Sequence, residues 1–173
     1  MKAQWTVALE RASAVVLLLA ASACGGGGES TERATSGDLA ALDACLLITT
    51  DEIRTATGRE TAAGVDPVAG LTGAAPMCAW VSADGTGVQV AQLLVSAGTP
   101  DSFEEYRDRM AQSQITITQI DGPGRYTVSI GEASMIQSIG DRFMVQVMVE
   151  PAEGTDHLAA ATTLTRAALD RLE

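Results

Sequence analysis

The sequence is poor in basic and aromatic residues. It has one lysine and one histidine among 173 residues, 3% aromatic residues, and 11 Lys and Arg against 22 Asp and Glu, a formal net charge of −11. Nucleic acids and anionic lipid surfaces attract basic patches, so this composition argues against both as electrostatic partners. The acidity favours solubility, with a cationic ligand or partner as the alternative interpretation.

Residue types that carry catalysis are also scarce. His157 is predicted to lie on the surface at the start of a helix, and any Ser-His-Asp triad or zinc hydrolase site would depend on it alone. The sequence contains no G-x-S-x-G, P-loop or G-x-G-x-x-G motif. Glu104 and Glu105 are neighbours on a predicted helix and point in different directions, unlike a glycosidase pair. We therefore predict a protein that is not an enzyme.

Ligands for a metal or cofactor are few. Three cysteines and one histidine do not supply the thiol and imidazole set of a zinc site. Met144 and Met148, together with Met135, are soft ligands that suit Cu(I). Methionines in a strand beneath a helix more often fill a core, so we predict no metal and no cofactor.

The N-terminal apolar stretch is too short for a membrane-spanning helix. Lys2 and Arg11 precede the apolar residues 12–21, about half of the roughly 20 residues that a spanning helix needs. A basic start, a short apolar centre and small residues at the end are typical of a secretory leader. We therefore predict a signal peptide over residues 1–23.

The predicted cleavage site resembles the lipobox of bacterial lipoproteins. Ala21-Ser22-Ala23-Cys24 places small residues before a cysteine, and in those proteins this cysteine receives a diacylglyceryl group. The common pattern has Leu at the position of Ala21, and Ala-x-Ala is also an ordinary cleavage site. We expect lipidation of Cys24 and attachment to the outer face of the cytoplasmic membrane, with plain secretion as the alternative.

The exported part divides by composition into a tether and a domain. Residues 24–38 are rich in Gly, Ser, Thr and Glu and are predicted to form a lipidated, flexible tether with a span of roughly 20 Å. Residues 39–173 have the length of one domain. We predict a single α+β extracytoplasmic domain for this segment.

The cysteines fit this organisation. An odd thiol is a liability in an oxidising compartment, and lipidation of Cys24 leaves Cys45 and Cys78 as a pair. A disulfide between them is predicted to stabilise the domain by about 3–4 kcal/mol; two free buried thiols are the alternative. Trp80 is predicted to be a core residue over the disulfide, with ligand stacking as the alternative.

Helix and strand signals alternate along the domain. Thr49 and Glu52 predict a capping box at the start of a short helix, and Asp84-Gly85 predicts a hairpin turn. The predicted elements are a helix from Thr49 to Gly58, strands over 78–82 and 88–95, a helix from Pro100, a strand from Ile115, a hairpin of 128–139 with 142–150, and a helix over 155–172. Short connections between strands favour an antiparallel sheet of five to six strands covered by three helices, an α+β fold.

Several short motifs resemble a known family. Asp43-Ala44-Cys45-Leu46-Leu47, Cys78-Ala79-Trp80, Ile130-Gly131-Glu132-Ala133 and a C-terminal helix rich in Ala, Leu and Arg are similar to the actinobacterial envelope lipoproteins that carry domain of unknown function 3558. The resemblance implies a lipid-anchored extracytoplasmic domain with one disulfide and supplies no catalytic residues. A more remote similarity is to envelope sensor domains of Ser/Thr kinases.

These observations predict a lipid-anchored, non-enzymatic binding or accessory module of the cell envelope. Its expected partners are the membrane, through Cys24, and an envelope protein or a wall or lipid component, with no nucleic acid. The alternative is a small-ligand sensor or carrier with an apolar cleft between sheet and helices, of at least about 300 Å³. A hydrolase is the weakest of the three hypotheses.

Overall fold

The computed structural model describes residues 39–113, 115–130 and 135–172. Within them the chain forms three helices and one six-stranded sheet. The helices are α1 (Thr50–Thr57), α2 (Pro100–Gln112) and α3 (His157–Leu172), and the strands are β1 (Met77–Val81), β2 (Gln89–Ala97), β3 (Ile117–Gln119), β4 (Tyr126–Ile130), β5 (Met135–Ile139) and β6 (Phe143–Val149). The predicted α+β fold is confirmed.

The sheet is antiparallel throughout, and its strand order is β1-β2-β6-β5-β4-β3. The first two strands form a hairpin, and the last four form a meander. The two parts join where β2 pairs with β6, from Ala91 opposite Val149 to Ala97 opposite Phe143. Because α2 lies between β2 and β3 in the sequence, it connects β2, the second strand of the sheet, to β3, at the opposite edge.

Alternation along β6 defines the two faces of the sheet. Val145 and Val147 are fully buried on one face, which we call the α3 face because α3 packs across β5 and β6 there. Met144 and Met148 are partly buried on the opposite face, which we call the α2 face. The predicted assignment of alternate β6 residues to opposite faces is confirmed.

The main core lies between the α3 face and the helices α1 and α3. Asp156 caps α3, because its carboxylate accepts a hydrogen bond from the N–H of Ala159 at 3.1 Å. The helix therefore starts at His157, two residues after the predicted start. Successive turns of α3 contribute seven buried residues to the core: Ala160, Ala161, Leu164, Thr165, Ala168, Leu169 and Leu172.

The short helix α1 has the predicted capping box. The N–H of Thr49 donates to Glu52 Oε2 at 2.8 Å, and the N–H of Glu52 donates to Thr49 Oγ1 at 3.3 Å. Gly58 ends the helix with a positive φ of 70°, a conformation that glycine adopts without steric cost. The local signals therefore determined both ends of this helix.

The predicted single strand over residues 128–139 is wrong. The chain forms two strands instead, β4 and β5, which pair with each other from Tyr126 opposite Ile139 to Ile130 opposite Met135. Folding the segment back on itself pairs the backbone groups of both strands. β5 still forms the predicted hairpin with β6 around residues 140–142.

An irregularity interrupts the first hairpin. Trp80 pairs with Ala91, but the next residue, Val81, pairs with Gln89, so β2 carries one extra residue. Val90 and Ala91 are consequently both buried although they are adjacent. This β-bulge explains the break in apolar alternation near Ala91 in the sequence.

No helix among the described residues is long and apolar enough to cross a membrane. The predicted signal peptide and the tether up to residue 38 lie outside the described residues.

Candidate functional site

The structure tests the predictions for two of the three cysteines. Cys24, the predicted lipidation site, lies outside the described residues. Cys45 and Cys78 form a disulfide, with their Cα atoms 5.0 Å apart. This bond links the 3-10 turn at Ala44–Leu46 to β1.

The surroundings of the disulfide are closely packed. Cys78 is fully buried, and Trp80 is only 1% exposed, so its indole ring has no surface on which a ligand could stack. Gly64 lies directly against this pair, since a Cβ atom added there would come within 2.6 Å of Trp80 Nε1. Cys78 and Trp80 are therefore part of the core, and neither presents a surface to a ligand.

The polar residues considered for catalysis do not converge. His157 is exposed at the first turn of α3, and Glu104 and Glu105 are exposed on α2. Within the described part of the chain, no group of three or more His, Cys, Asp or Glu residues is arranged to hold a metal ion. Met135 and Met144 pack against the residues beneath α2.

A cleft of about 500 Å³ opens between α2 and the edge of the sheet formed by β3 and β4. This volume falls within the range of small-ligand sites. Its apolar walls are Phe103, Ala111, Ile115, Ile117, Tyr126 and Val128. Its polar walls are Glu104, Arg107, Asp108, Thr116 and Gln119.

Aromatic residues attach α2 to the sheet. Phe103 is 4% exposed and stacks on Tyr126, with 5.5 Å between the ring centroids. Phe103, Val128, Ile130 and Ile139 form a second small core, separate from the main one. Among the α2 side chains that the structure describes, Phe103 alone is buried, and the partly buried Tyr106 packs against the same small core. The helix is therefore attached to the sheet around these two residues, and the cleft lies beside them.

The spacing of apolar residues in α2 explains this attachment. Phe103, Tyr106 and Met110 follow one another at helical spacing and share the face toward the sheet, as the sequence predicts. Burial raises the pKa of Tyr106, an effect that the nearby charge of Arg109 partly offsets. Tyr106 therefore stays neutral at physiological pH and adds no charge near the cleft.

The charged residues of the cleft lie on α2. Arg107 donates to the neighbouring carboxylate of Asp108 at 3.1 Å. Within the residues that the structure describes, Glu104 forms no ion pair and no hydrogen bond. The α2 wall therefore presents one ion pair, between Arg107 and Asp108, and one carboxylate, that of Glu104, which is available to a ligand.

A buried amide lies close to the same small core. Gln137 is fully buried on β5, its Nε2 contacts the sulfur of Met144, and its Oε1 has no hydrogen-bond partner among the described residues. Its position on the α2 face follows from its pairing with Val128, a cleft residue. Sequence reasoning did not identify this residue.

Sequence reasoning also missed most of the cleft. Helical spacing predicts that Phe103 lies on the buried face of α2, and alternation predicts a strand at Ile117; the structure confirms both. Tyr126 and Gln119 carry no local signal, because their proximity to α2 depends on the strand order, which places β3 and β4 at the edge of the sheet. A cleft between distant segments has no sequence motif of its own.

Comparisons with protein-family models, with curated proteins and with solved structures find no match for this chain. The resemblance to the envelope lipoproteins with domain of unknown function 3558 stays a prediction. The residues between positions 130 and 135 that contribute to that resemblance lie outside the described residues.

Proposed function

We propose that this chain is a lipid-anchored extracytoplasmic protein that acts as a non-enzymatic binding module of the cell envelope. The predicted leader and the cysteine at position 24 support the anchor. The disulfide between Cys45 and Cys78 supports export, because structural disulfides form and persist in oxidising compartments. Secretion without a lipid is the alternative for its location.

The cleft beside α2 is the observation that carries the binding function. It has a volume of about 500 Å³, apolar walls from Phe103, Ile117 and Val128, and one uncompensated carboxylate, that of Glu104. Binding sites commonly combine largely apolar walls with a few polar groups that orient the ligand. The partner is an envelope protein or a wall or lipid component that inserts an apolar group into this cleft.

A small-ligand sensor or carrier is the second candidate. This hypothesis predicts an apolar cleft of at least about 300 Å³ between sheet and helices, and the cleft beside α2 exceeds that volume. Both candidates place the ligand in the same cleft and differ in whether the ligand is a free small molecule or part of a larger partner.

Binding of an apolar fluorescent probe tests the cleft. The chain from residue 24 onward, with Cys24→Ser and therefore without a lipid, is titrated with N-phenyl-1-naphthylamine in the absence of detergent. We expect saturable binding, and we expect Ala111→Trp to weaken it about tenfold, because the indole fills the space between α2 and β3. Ala159→Trp is the matched control, since Ala159 is exposed on α3, and should leave the affinity within twofold.

Two results would contradict the proposal. Equal probe binding in the Ala111→Trp and Ala159→Trp variants would show that the cleft is not the site. Turnover of an envelope substrate by the same preparation would show that the protein is an enzyme.

A further inference from the structure

The two edges of the sheet differ in how their backbone is covered. Residues 60–65 run along the outer edge of β1, where Val65 and Ala79 exchange two backbone hydrogen bonds of 2.9 Å. At the opposite edge, β3 pairs with β4, and no other described strand adjoins it. An uncovered strand edge is a template for pairing with another chain.

The register identifies the backbone groups that point away from β4. The N–H of Ile120 donates to the carbonyl of Thr127 at 3.0 Å, and this pair is in register with Thr118 opposite Ser129. In an antiparallel ladder, alternate residues bond to the neighbouring strand. The N–H and C=O groups of Ile117 and Gln119 therefore point outward, where an added strand would lie.

The same two residues line the cleft. The side chains of Ile117 and Gln119 face α2, while their backbone groups point outward from the sheet edge. A strand added to β3 places every second side chain on the α2 face of the sheet. The strand edge and the cleft therefore form one continuous surface for an extended chain whose alternate side chains enter the cleft.

The charge of this surface favours a basic partner. Residues after position 23 include nine Arg and 21 Asp or Glu, and at the cleft the carboxylate of Glu104 has no ion-pair partner among the described residues. Asp121 is exposed two residues after the end of β3. Charge complementarity of this kind selects partners and accelerates their association.

We propose that β3 and the cleft beside α2 bind an extended peptide segment of another envelope protein, in which apolar residues alternate and at least one Lys or Arg is present. The segment adds a seventh strand by hydrogen bonding to Ile117 and Gln119. An apolar side chain enters the cleft between Phe103 and Ile117, and the basic side chain meets Glu104. This inference rests on the proposed binding function and specifies its ligand.

The probe for the test is a random heptapeptide library displayed on phage. It is selected against the immobilised chain from residue 24 onward carrying Cys24→Ser, and the enriched peptides are synthesised and measured by calorimetry. We expect enriched sequences with apolar residues at alternate positions and a Lys or Arg between them. We also expect Ala111→Trp to abolish enrichment, because it fills the cleft.

Backbone substitution tests the added strand directly. Gln119→Pro removes the outward N–H and preserves the pairing of Thr118 with β4, because proline is tolerated where the N–H of an edge strand faces solvent. We expect it to lower peptide affinity about five- to tenfold relative to Gln119→Ala, the matched reference, which loses the same side-chain amide but keeps the backbone N–H. N-methylation of the peptide at alternate residues removes the peptide N–H groups that would bond to β3. It therefore tests the added strand without changing the protein, even if Gln119→Pro fails to fold.

A pair of adjacent glutamates tests the charge contribution. Glu104 lines the cleft and Glu105 does not, so Glu105→Gln is a matched control for Glu104→Gln. We expect Glu104→Gln to weaken binding of the Lys- or Arg-containing peptides about two- to fivefold at low salt. The control should leave the affinity unchanged within error.

The outcomes separate this inference from the proposed function. Saturable probe binding without peptide enrichment, or enriched peptides that tolerate N-methylation at every position, would overturn the peptide inference and leave the binding function standing. Self-association that Gln119→Pro abolishes would assign the edge to a second copy of this chain and overturn it as well. Absence of both probe and peptide binding would overturn both proposals.

Discussion

Arg171 connects α3 to α1 and to the residues just before α1 through one guanidinium group. Its Nη2 donates to Glu52 Oε1 at 2.8 Å, and its Nη1 donates to the carbonyls of Leu47 at 2.9 Å and Ala167 at 3.1 Å. Glu52 also belongs to the capping box of α1. A single carboxylate therefore contributes both to the start of α1 and to its contact with α3.

The ionisation of Glu52 follows from this environment. Burial raises the pKa of Glu52, but hydrogen bonds from Arg171 and Thr49 outweigh that effect and hold the pKa below its ordinary value of 4.5. A carboxylate whose pKa is lower in the folded state stabilises the fold above the unfolded pKa. This contribution is lost as the pH falls through the folded pKa.

We expect Glu52→Gln to lower the free energy of unfolding by about 1 kcal/mol at pH 7, because it removes a charged partner of Arg171 at a partly exposed site. The difference from the parent should begin to shrink near pH 4.5, the ordinary pKa of the carboxyl, and should be lost as the pH falls through the lower pKa of the folded state. Urea denaturation of both proteins at several pH values measures this difference in the free energy of unfolding.

Glu60→Gln is a control at a side chain that is 69% exposed and should change the free energy of unfolding by less than about 0.5 kcal/mol. A difference that is the same at pH 7 and pH 3 would contradict this account.

The elements of the domain differ in how much of their position the sequence predicts. Both ends of α1 and the face of α2 that contacts the sheet could be predicted, because caps and helical spacing act over a few residues. The division of residues 128–139 into β4 and β5 could not be predicted, because the continuous apolar pattern of this segment fits one strand or two. Only the pairing of those strands with each other and with β6 distinguishes the alternatives.

The disulfide connects the 3-10 turn before α1 to β1 across a long connection of Gly, Ala and Pro. Cys45 and Cys78 are 33 residues apart, and residues 59–76 contain no helix or strand of their own beyond two isolated β-bridges. Cross-linking such a segment restricts the unfolded chain. The bond therefore stabilises a region in which regular hydrogen bonding is sparse.

We expect replacement of both Cys45 and Cys78 by alanine to lower the free energy of unfolding by about 3–4 kcal/mol, the value of the chain-entropy model for this loop. The measurement is urea denaturation in the Cys24→Ser background, which removes thiol exchange. Reductant should destabilise the parent by a similar amount and should not affect the double variant. A double variant within 1 kcal/mol of the parent would show that the disulfide is not a main source of stability.

At the scale of the whole molecule, the proposed anchor depends on Cys24, and the domain depends on the other two cysteines. If Cys24 carries lipid, the remaining two are paired and the mature protein has no free thiol. If Cys24 is not modified, a secreted protein with one free thiol results, and such a thiol can form a covalent dimer. The fate of Cys24 therefore determines both location and oligomeric chemistry.

We expect intact mass spectrometry of protein from native membranes to show a chain that begins at Cys24 and carries added acyl mass. At least two acyl chains are expected, because a single chain gives only marginal membrane binding. Alkylation should modify Cys45 and Cys78 only after reduction. A full complement of protein with unmodified Cys24 would contradict the anchor and support secretion.

The sequence by itself determined the α+β class, the caps of α1, the face of α2 that carries Phe103, and the cysteines that form the disulfide. These features depend on residue spacing over a few positions or on the small number of cysteines. The tertiary structure decided the strand order, which pairs β2 with β6 and leaves β3 at an edge. It thereby placed α2 beside Tyr126 and Gln119 and created the cleft. Long-range pairing depends on packing energies summed over the whole sheet, and no local pattern in the chain encodes them.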